Sequence, residues 1–242
     1  AYLSTHTGGF EGNTFLDLTD QMERAAAHWR ELGLRFDAVY TGFMGSCGQA
    51  ALAADCIRTF KRQENLAVVD PVMGDHGRLY RTYTPEMCAA VADMAAMADV
   101  ITPNRTEAAL LLGTDYEALR LDRAEDCRRW ARALSLRGRR SVVLTGASAE
   151  PGRAGAVCFD RDTGRTELVS APLVPGQFHG AGDLFAAVLT GALVRGRDLA
   201  EAAQLAADFT SQCAERTLAQ DLPRREGIDF EPLLWRLGQV MA

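Results

Sequence analysis

Short runs of β-branched residues alternate along this chain with longer stretches of helical periodicity, and that alternation leaves few folds open to it. Strands are predicted at Ala38–Thr41, Leu66–Asp70, Val100–Thr102 and Ser141–Thr145, with Ala154–Phe159 and Thr166–Ser170 pairing as a later hairpin. Helical patterns fill 17–33, 47–64, 84–97, 104–112, 122–137, 181–195, 198–217 and 229–241. Strands that alternate with helices build a parallel sheet covered on both faces. No repeat, low-complexity tract or linker rich in Gly, Pro or Ser divides the 242 residues, so one α/β domain over 1–242 is expected.

Composition narrows the chemistry. A net charge of −6, with arginines and acidic residues interspersed, is not built to hold nucleic acid, and no apolar run is long enough to span a membrane. The six cysteines are scattered without a CxxC or a His pair at ligand spacing, which argues for reduced thiols, a cytoplasmic setting and no structural zinc. Lys61 is the only lysine, in the stretch Phe60-Lys-Arg-Gln-Glu64, which reads as an exposed helix end. A P-loop, a protein kinase and a pyridoxal-phosphate enzyme each need a lysine in a context that Lys61 does not have. If the protein handles phosphate, it does so with backbone amides, arginines, metal or a helix end.

In open α/β sheets ligands gather beyond the carboxyl ends of the strands, and polar residues cluster there: Thr41-Gly42, Asp70-Pro71, Thr102-Pro-Asn104 and Thr145-Gly146. The strongest segment is Pro175-Gly-Gln-Phe-His-Gly-Ala-Gly-Asp183, which runs into an apolar helix. Gly180 and Gly182 allow close backbone approach, and the helix that follows aims its free N–H groups and positive dipole end forward. That is an anion site without a lysine. Asp183 in the first turn is placed to take the proton of an acceptor hydroxyl. A capped loop is the bland alternative. A dinucleotide fingerprint fits poorly, since its third glycine would fall on Phe185. Asp70 and Asp75, with Asn104 and Glu107, could supply oxygens for a hydrated Mg²⁺, though Asn104 and Glu107 also have the spacing of a capping box.

These blocks are recognisable. Asp70-Pro-Val-Met-Gly-Asp75, Thr102-Pro-Asn104 with Glu107, and Gly180-Ala-Gly-Asp183 resemble the signatures of the ribokinase-like superfamily, specifically its vitamin kinases. Ser4-Thr-His-Thr-Gly-Gly-Phe10 is similar to the segment that lines the vitamin site of pyridoxal kinases. The resemblance implies a three-layer α/β/α ribokinase-like fold with a mostly parallel central sheet. It implies transfer of phosphate from ATP to the 5′-hydroxymethyl group of pyridoxal, pyridoxine or pyridoxamine. Asp183 would be the base, and Gly180, Ala181 and Gly182 the anion hole. Asp70, Asp75, Asn104 and Glu107 would organise Mg²⁺ and the ATP phosphates, with Asp70 and Glu107 nearest the metal. Thr145 and His179 would touch the phosphate tail, and Thr7, His6, Phe43 and Tyr80 would shape the acceptor pocket. A homodimer and stimulation by a monovalent cation such as K⁺ belong to the same picture.

Two departures stand out. The strand and serine-bearing loop with which pyridoxal kinases begin have no counterpart before Ala1, so the fold is expected to lack its first strand and loop. Phe43 stands where relatives often place a tyrosine, which keeps ring stacking but not a hydroxyl contact. Gly74-Asp-His-Gly-Arg78 reads either as a flap over the nucleotide or as an ordinary surface loop, and Arg105 either as a phosphate contact or as a solvated arginine. The alternatives are a hydroxymethylpyrimidine or hydroxymethylpyrimidine phosphate kinase of the same fold, a sugar or nucleoside kinase, and a catalytically weak nucleotide- or vitamin-binding protein.

Overall fold

A computed structural model of the chain describes residues 2–4 (backbone alone), 12, 14–148, 150–220 and 226–240. The elements run β1 (Tyr2–Ser4), β2 (Phe15–Asp17), α1 (Thr19–Glu31), β3 (Ala38–Thr41), α2 (Cys47–Phe60), β4 (Leu66–Val69), β5 (Gly74–Asp75) and β6 (Arg78–Leu79). They continue with α3 (Pro85–Ala95), β7 (Val100–Ile101), α4 (Arg105–Leu112), α5 (Ala124–Leu134), β8 (Ser141–Ala147), β9 (Arg153–Phe159) and β10 (Thr166–Pro172). Last come α6 (Ala181–Val194), α7 (Leu199–Ala219), a 3₁₀ turn at Glu231–Leu233 and α8 (Leu234–Val240).

Six strands form one sheet in the order β10-β9-β8-β7-β4-β3. The pairs β3–β4, β4–β7 and β7–β8 are parallel, and β8–β9 and β9–β10 are antiparallel. Side chains alternate between faces along a strand, and here both faces are apolar. Val69, Ile101, Val142 and Leu144 enter one core with Ile57 of α2, Met94 of α3 and Leu134 of α5. Their neighbours Val68, Val100 and Val143 enter a second core with Leu189 of α6 and Ala203 and Phe209 of α7. Helices therefore cover both sides, and the fold is a three-layer α/β sandwich with a mostly parallel sheet.

The helix limits follow local chemistry. α2 stops at Phe60, before the predicted 64, because Lys61 is extended and Asn65 folds back, its amide donating to the carbonyls of Phe60 (2.8 Å) and Phe36 (2.9 Å). Lys61 is half-buried and pairs with Asp99 at 3.2 Å, so it does not protrude freely as the sequence suggested. Asp99 also takes Ala67 N–H and the Arg161 guanidinium, both at 2.8 Å, at the amino ends of the central strands. The sequence pattern missed two small hairpins. β1 pairs antiparallel with β2 apart from the main sheet, and β5 pairs with β6. No helix among the described residues is long and apolar enough to cross a membrane.

Candidate active site

At the carboxyl end of β4 the chain turns into Asp70, whose N–H is held by the Thr41 carbonyl at 2.9 Å and whose Oδ1 accepts the Thr102 hydroxyl at 2.9 Å. Three adjacent strands thus converge on one buried carboxylate. Beyond it, β5 and β6 fold back over a two-residue turn, His76-Gly77, with φ of 50° and 77°. Both values are positive, as tight hairpins with the twist of strands require. A side chain at Gly74 would put its Cβ 2.2 Å from the Arg78 carbonyl oxygen, so the hairpin closes only with glycine there.

The hairpin is fastened to the start of α4. Asn104 accepts from Thr106 N (2.8 Å) and Glu107 N (3.0 Å), and its amide donates to Gly74 O at 2.8 Å. Glu107 accepts Asn104 N at 2.8 Å on one oxygen and Met73 N at 3.2 Å on the other. Gly77 N donates to Thr106 Oγ1 at 2.9 Å. The capping box is present, and it also anchors the hairpin.

Across the cleft, Gly180 adopts φ of +83° and opens α6 with no side-chain cap among the described residues. The first-turn amides of this uncapped helix, and the positive end of its dipole, face forward. Its preceding loop is pinned by Ile228 N to the His179 carbonyl at 3.0 Å, and Gln177 meets the His76 ring at 2.7 Å, joining loop to hairpin.

Between these parts lies a cleft of about 710 Å³. Asp70, Asp75, Tyr80, Thr102, Asn104, Glu107, Thr145, His179, Gly180, Ala181, Gly182 and Asp183 all border it. Burial raises the pKa of Asp70, opposed by the Thr102 hydrogen bond and reinforced by the charge of Asp183. Burial, then the charge of Asp70, raises Glu107 well above the ordinary range, against its two backbone hydrogen bonds. Asp183 is raised by burial. Tyr80, 40% exposed beside the carboxylates, is pushed up to about 12, chiefly by partial burial and then by Glu107. So many carboxylates sharing one partly dry cleft is a costly arrangement that a cation would relieve.

Not every expected residue arrives. Phe43 is not among the cleft-lining residues; it packs edge to face on Tyr83, with centroids 5.6 Å apart, against the core. Arg105 does not turn to the cleft either. Its guanidinium donates to the carbonyls of Leu119 (2.6 Å) and Tyr116 (2.8 Å) and lies over the Tyr116 ring, which removes it from phosphate binding. Thr7 and His6 lie outside the described residues. The Asn104 side chain accepts two backbone amides on its oxygen and gives one amide hydrogen to Gly74, and it still borders the cleft. Two features had no signal in the residues: the Gln177 contact to His76 and the pairing of Gly74–Asp75 with Arg78–Leu79 as a hairpin.

A three-layer α/β sandwich with a cleft at its strand ends, and a carboxylate at an uncapped helix tip, defines a ribokinase-like protein. The sequence family described as phosphomethylpyrimidine kinase matches residues 17–223, and the chain belongs to it. It is 32% identical over 181 residues to a pyridoxine kinase of Bacillus subtilis, covering 73% of this chain and 63% of that enzyme. It is 35% identical over 191 residues to a pyridoxal kinase of Rubrobacter xylanophilus, covering 75% and 62%. The matched stretch therefore spans less than two thirds of either relative's length. A Bacteroides thetaiotaomicron protein assigned as a phosphomethylpyrimidine kinase, crystallised with pyridoxal, superposes with a TM-score of 0.89 at 35% identity over 98% of this chain and 83% of that one.

Proposed function

We propose that this protein transfers the γ-phosphate of ATP to the 5′-hydroxymethyl group of pyridoxal, pyridoxine or pyridoxamine. One observation carries the reading: Asp183 stands in the first turn of an uncapped helix, bordering the same cleft as Asp70 and Glu107. The relatives named for B6 vitamers, and the homologue crystallised with pyridoxal, support the choice of acceptor.

Asp183 takes the proton of the acceptor hydroxyl, since an alcohol is a weak nucleophile at neutral pH. Its burial raises its basicity towards that task. Of the expected anion hole, the Ala181 amide already donates to the Phe178 carbonyl at 3.2 Å, so the amide of Gly182, joined by that of Asp183, receives the charge of the moving phosphoryl group. Thr145 and His179 border the space for the phosphate tail, and Tyr80 that for the acceptor.

The residues fit Mg²⁺. This ion asks for one or two carboxylates and otherwise keeps water and phosphate oxygens. Asp70 has only one oxygen engaged, by Thr102, and would hold the ion directly. Glu107, both of whose oxygens accept backbone amides, would act through water. Bound there, the ion would neutralise charge between the nucleotide phosphates. A monovalent cation such as K⁺, a homodimer and a cytoplasmic location belong to the same reading.

The family description favours one second reading, a hydroxymethylpyrimidine or its phosphate as acceptor. The test is ADP release with Mg-ATP against pyridoxal, pyridoxine, pyridoxamine and hydroxymethylpyrimidine. Asp183→Asn serves as control; it is expected to keep ATP binding and to lower turnover by about two to four orders of magnitude. Equal turnover in the variant would remove the general base.

A further inference from the structure

Tyr40 belongs to none of the motifs, yet its hydroxyl and the Asp183 carboxylate face the same space over Gly42. In β3 side chains two apart share a face. Val39 and Phe43 pack into the core beneath α2 and α3, so Tyr40 and Gly42 take the opposite face, the one that α6 covers. A methyl built on Gly42 would lie 3.6 Å from Tyr40 Oη and 3.9 Å from Asp183 Oδ1. The absent side chain therefore leaves a gap with a phenol on one wall and the candidate base on the other. The gap adjoins the cleft through Asp183, which borders both.

The two groups are chemically complementary. An ionised carboxylate only accepts hydrogen bonds. Tyr40 is 37% exposed; partial burial, then the charges of Asp70 and Asp183, raise its phenol above the ordinary range, so at neutral pH it remains an O–H donor. An alcohol placed between them can give its proton to Asp183 and accept a hydrogen bond from Tyr40 at the same oxygen.

We propose that Tyr40 is a substrate-binding residue whose O–H donates to an oxygen of the acceptor alcohol in the gap over Gly42, beside Asp183. The inference rests on phosphotransfer to an alcohol and adds to it a residue and a subsite outside the signature blocks.

Two substitutions separate this from a packing role. Tyr40→Phe keeps the ring and removes the donor. Gly42→Ala fills the gap at ordinary van der Waals distance from both walls, so the fold should tolerate it. Binding of pyridoxal, pyridoxine, pyridoxamine, hydroxymethylpyrimidine and ATP to the full chain is titrated calorimetrically, with thermal unfolding followed alongside. For the tightest-binding alcohol, Tyr40→Phe is expected to weaken binding about five- to tenfold, the scale of one lost hydrogen bond. Gly42→Ala should weaken it at least as much. ATP affinity and the unfolding midpoint should stay at wild-type values in both.

Wild-type alcohol affinity in both variants overturns the proposal. So does a parallel loss of ATP affinity and thermal stability, which would mark a structural role. Asp183→Asn keeps the two ideas apart. If it turns over like wild type, the phosphotransfer reading fails. If it is inactive while Tyr40→Phe binds normally, only the Tyr40 subsite fails. A chain that binds none of the four alcohols sinks both.

Discussion

Asp70 shows how a single side chain can be placed for function against stability. Its carboxyl is buried, and burial raises its pKa in the folded state above the value in the unfolded chain. A raised acid contributes stability that is complete below the unfolded pKa and is lost as pH rises through the folded one. The metal-free protein should therefore lose stability from mildly acid towards neutral pH on account of this group. Asp70→Asn removes that dependence while its amide oxygen can still accept the Thr102 hydroxyl. The expected result is a higher unfolding midpoint than wild type at pH 8 without Mg²⁺, a smaller difference at pH 5, and much reduced turnover. A midpoint gap that does not grow with pH would mean that Asp70 is already neutral or well solvated. Lys61 provides the contrast. Its partner Asp99 lies at the amino ends of the strands, opposite the cleft, and both side chains are largely buried. Lys61→Met should cost about 1 kcal/mol, the scale of one hydrogen bond, because Asp99 keeps Arg161 and the Ala67 N–H, and should leave ADP release unaltered.

At the level of elements, the start of α4 and the β5–β6 hairpin behave as one unit. Asn104 caps the helix and holds Gly74, and Glu107 caps it in return and holds Met73. The capping box is formed by Asn104 and Glu107, two of the four residues expected to organise Mg²⁺. Asn104→Ala should cost about 1–2 kcal/mol, the scale of a lost N-cap, read from the denaturant midpoint, and should also raise the KM for ATP because the hairpin loses its fastening. A stability loss without any change in KM would show that the hairpin is held by its other contacts. Gly74→Ala is the sharper probe of the hairpin itself. The added Cβ meets backbone at 2.2 Å and cannot be accommodated by a rotamer change. The helix–strand periodicity announced neither hairpin, because strands of two or three residues are too short to carry a period.

For the whole molecule, the cleft joins parts that belong to different cores. Asp70 and α4 stand over the core covered by α2 to α5, and Asp183 stands on α6, which covers the other face. A ligand spanning the cleft ties both layers to the sheet and stabilises the native state by mass action. Mg-ATP at 100 times its Kd should add about 2.7 kcal/mol, seen as a rise in the unfolding midpoint. Asp70→Asn should lose most of that rise, and ATP without Mg²⁺ should give less of it. No rise with Mg-ATP at saturating concentration would argue against nucleotide binding in this cleft.

The order and kind of the main elements were legible in the residues because buried parallel strands are short continuous apolar runs and amphipathic helices repeat every three to four positions. The strand-end polar residues and the glycine loop with Asp183 were legible because close backbone approach and proton transfer each demand particular residue types. Tertiary structure alone decided which of those residues meet. It brought Asp70, Glu107 and Asp183 to one cleft, turned Phe43 and Arg105 away into packing and carbonyl contacts, and set Tyr40 and Asp183 on two walls of the space over Gly42. The physical reason is that periodicity specifies which face of an element is buried. The direction in which a side chain at the end of that element points depends on neighbours distant in sequence, whose hydrogen bonds and volumes no local pattern contains.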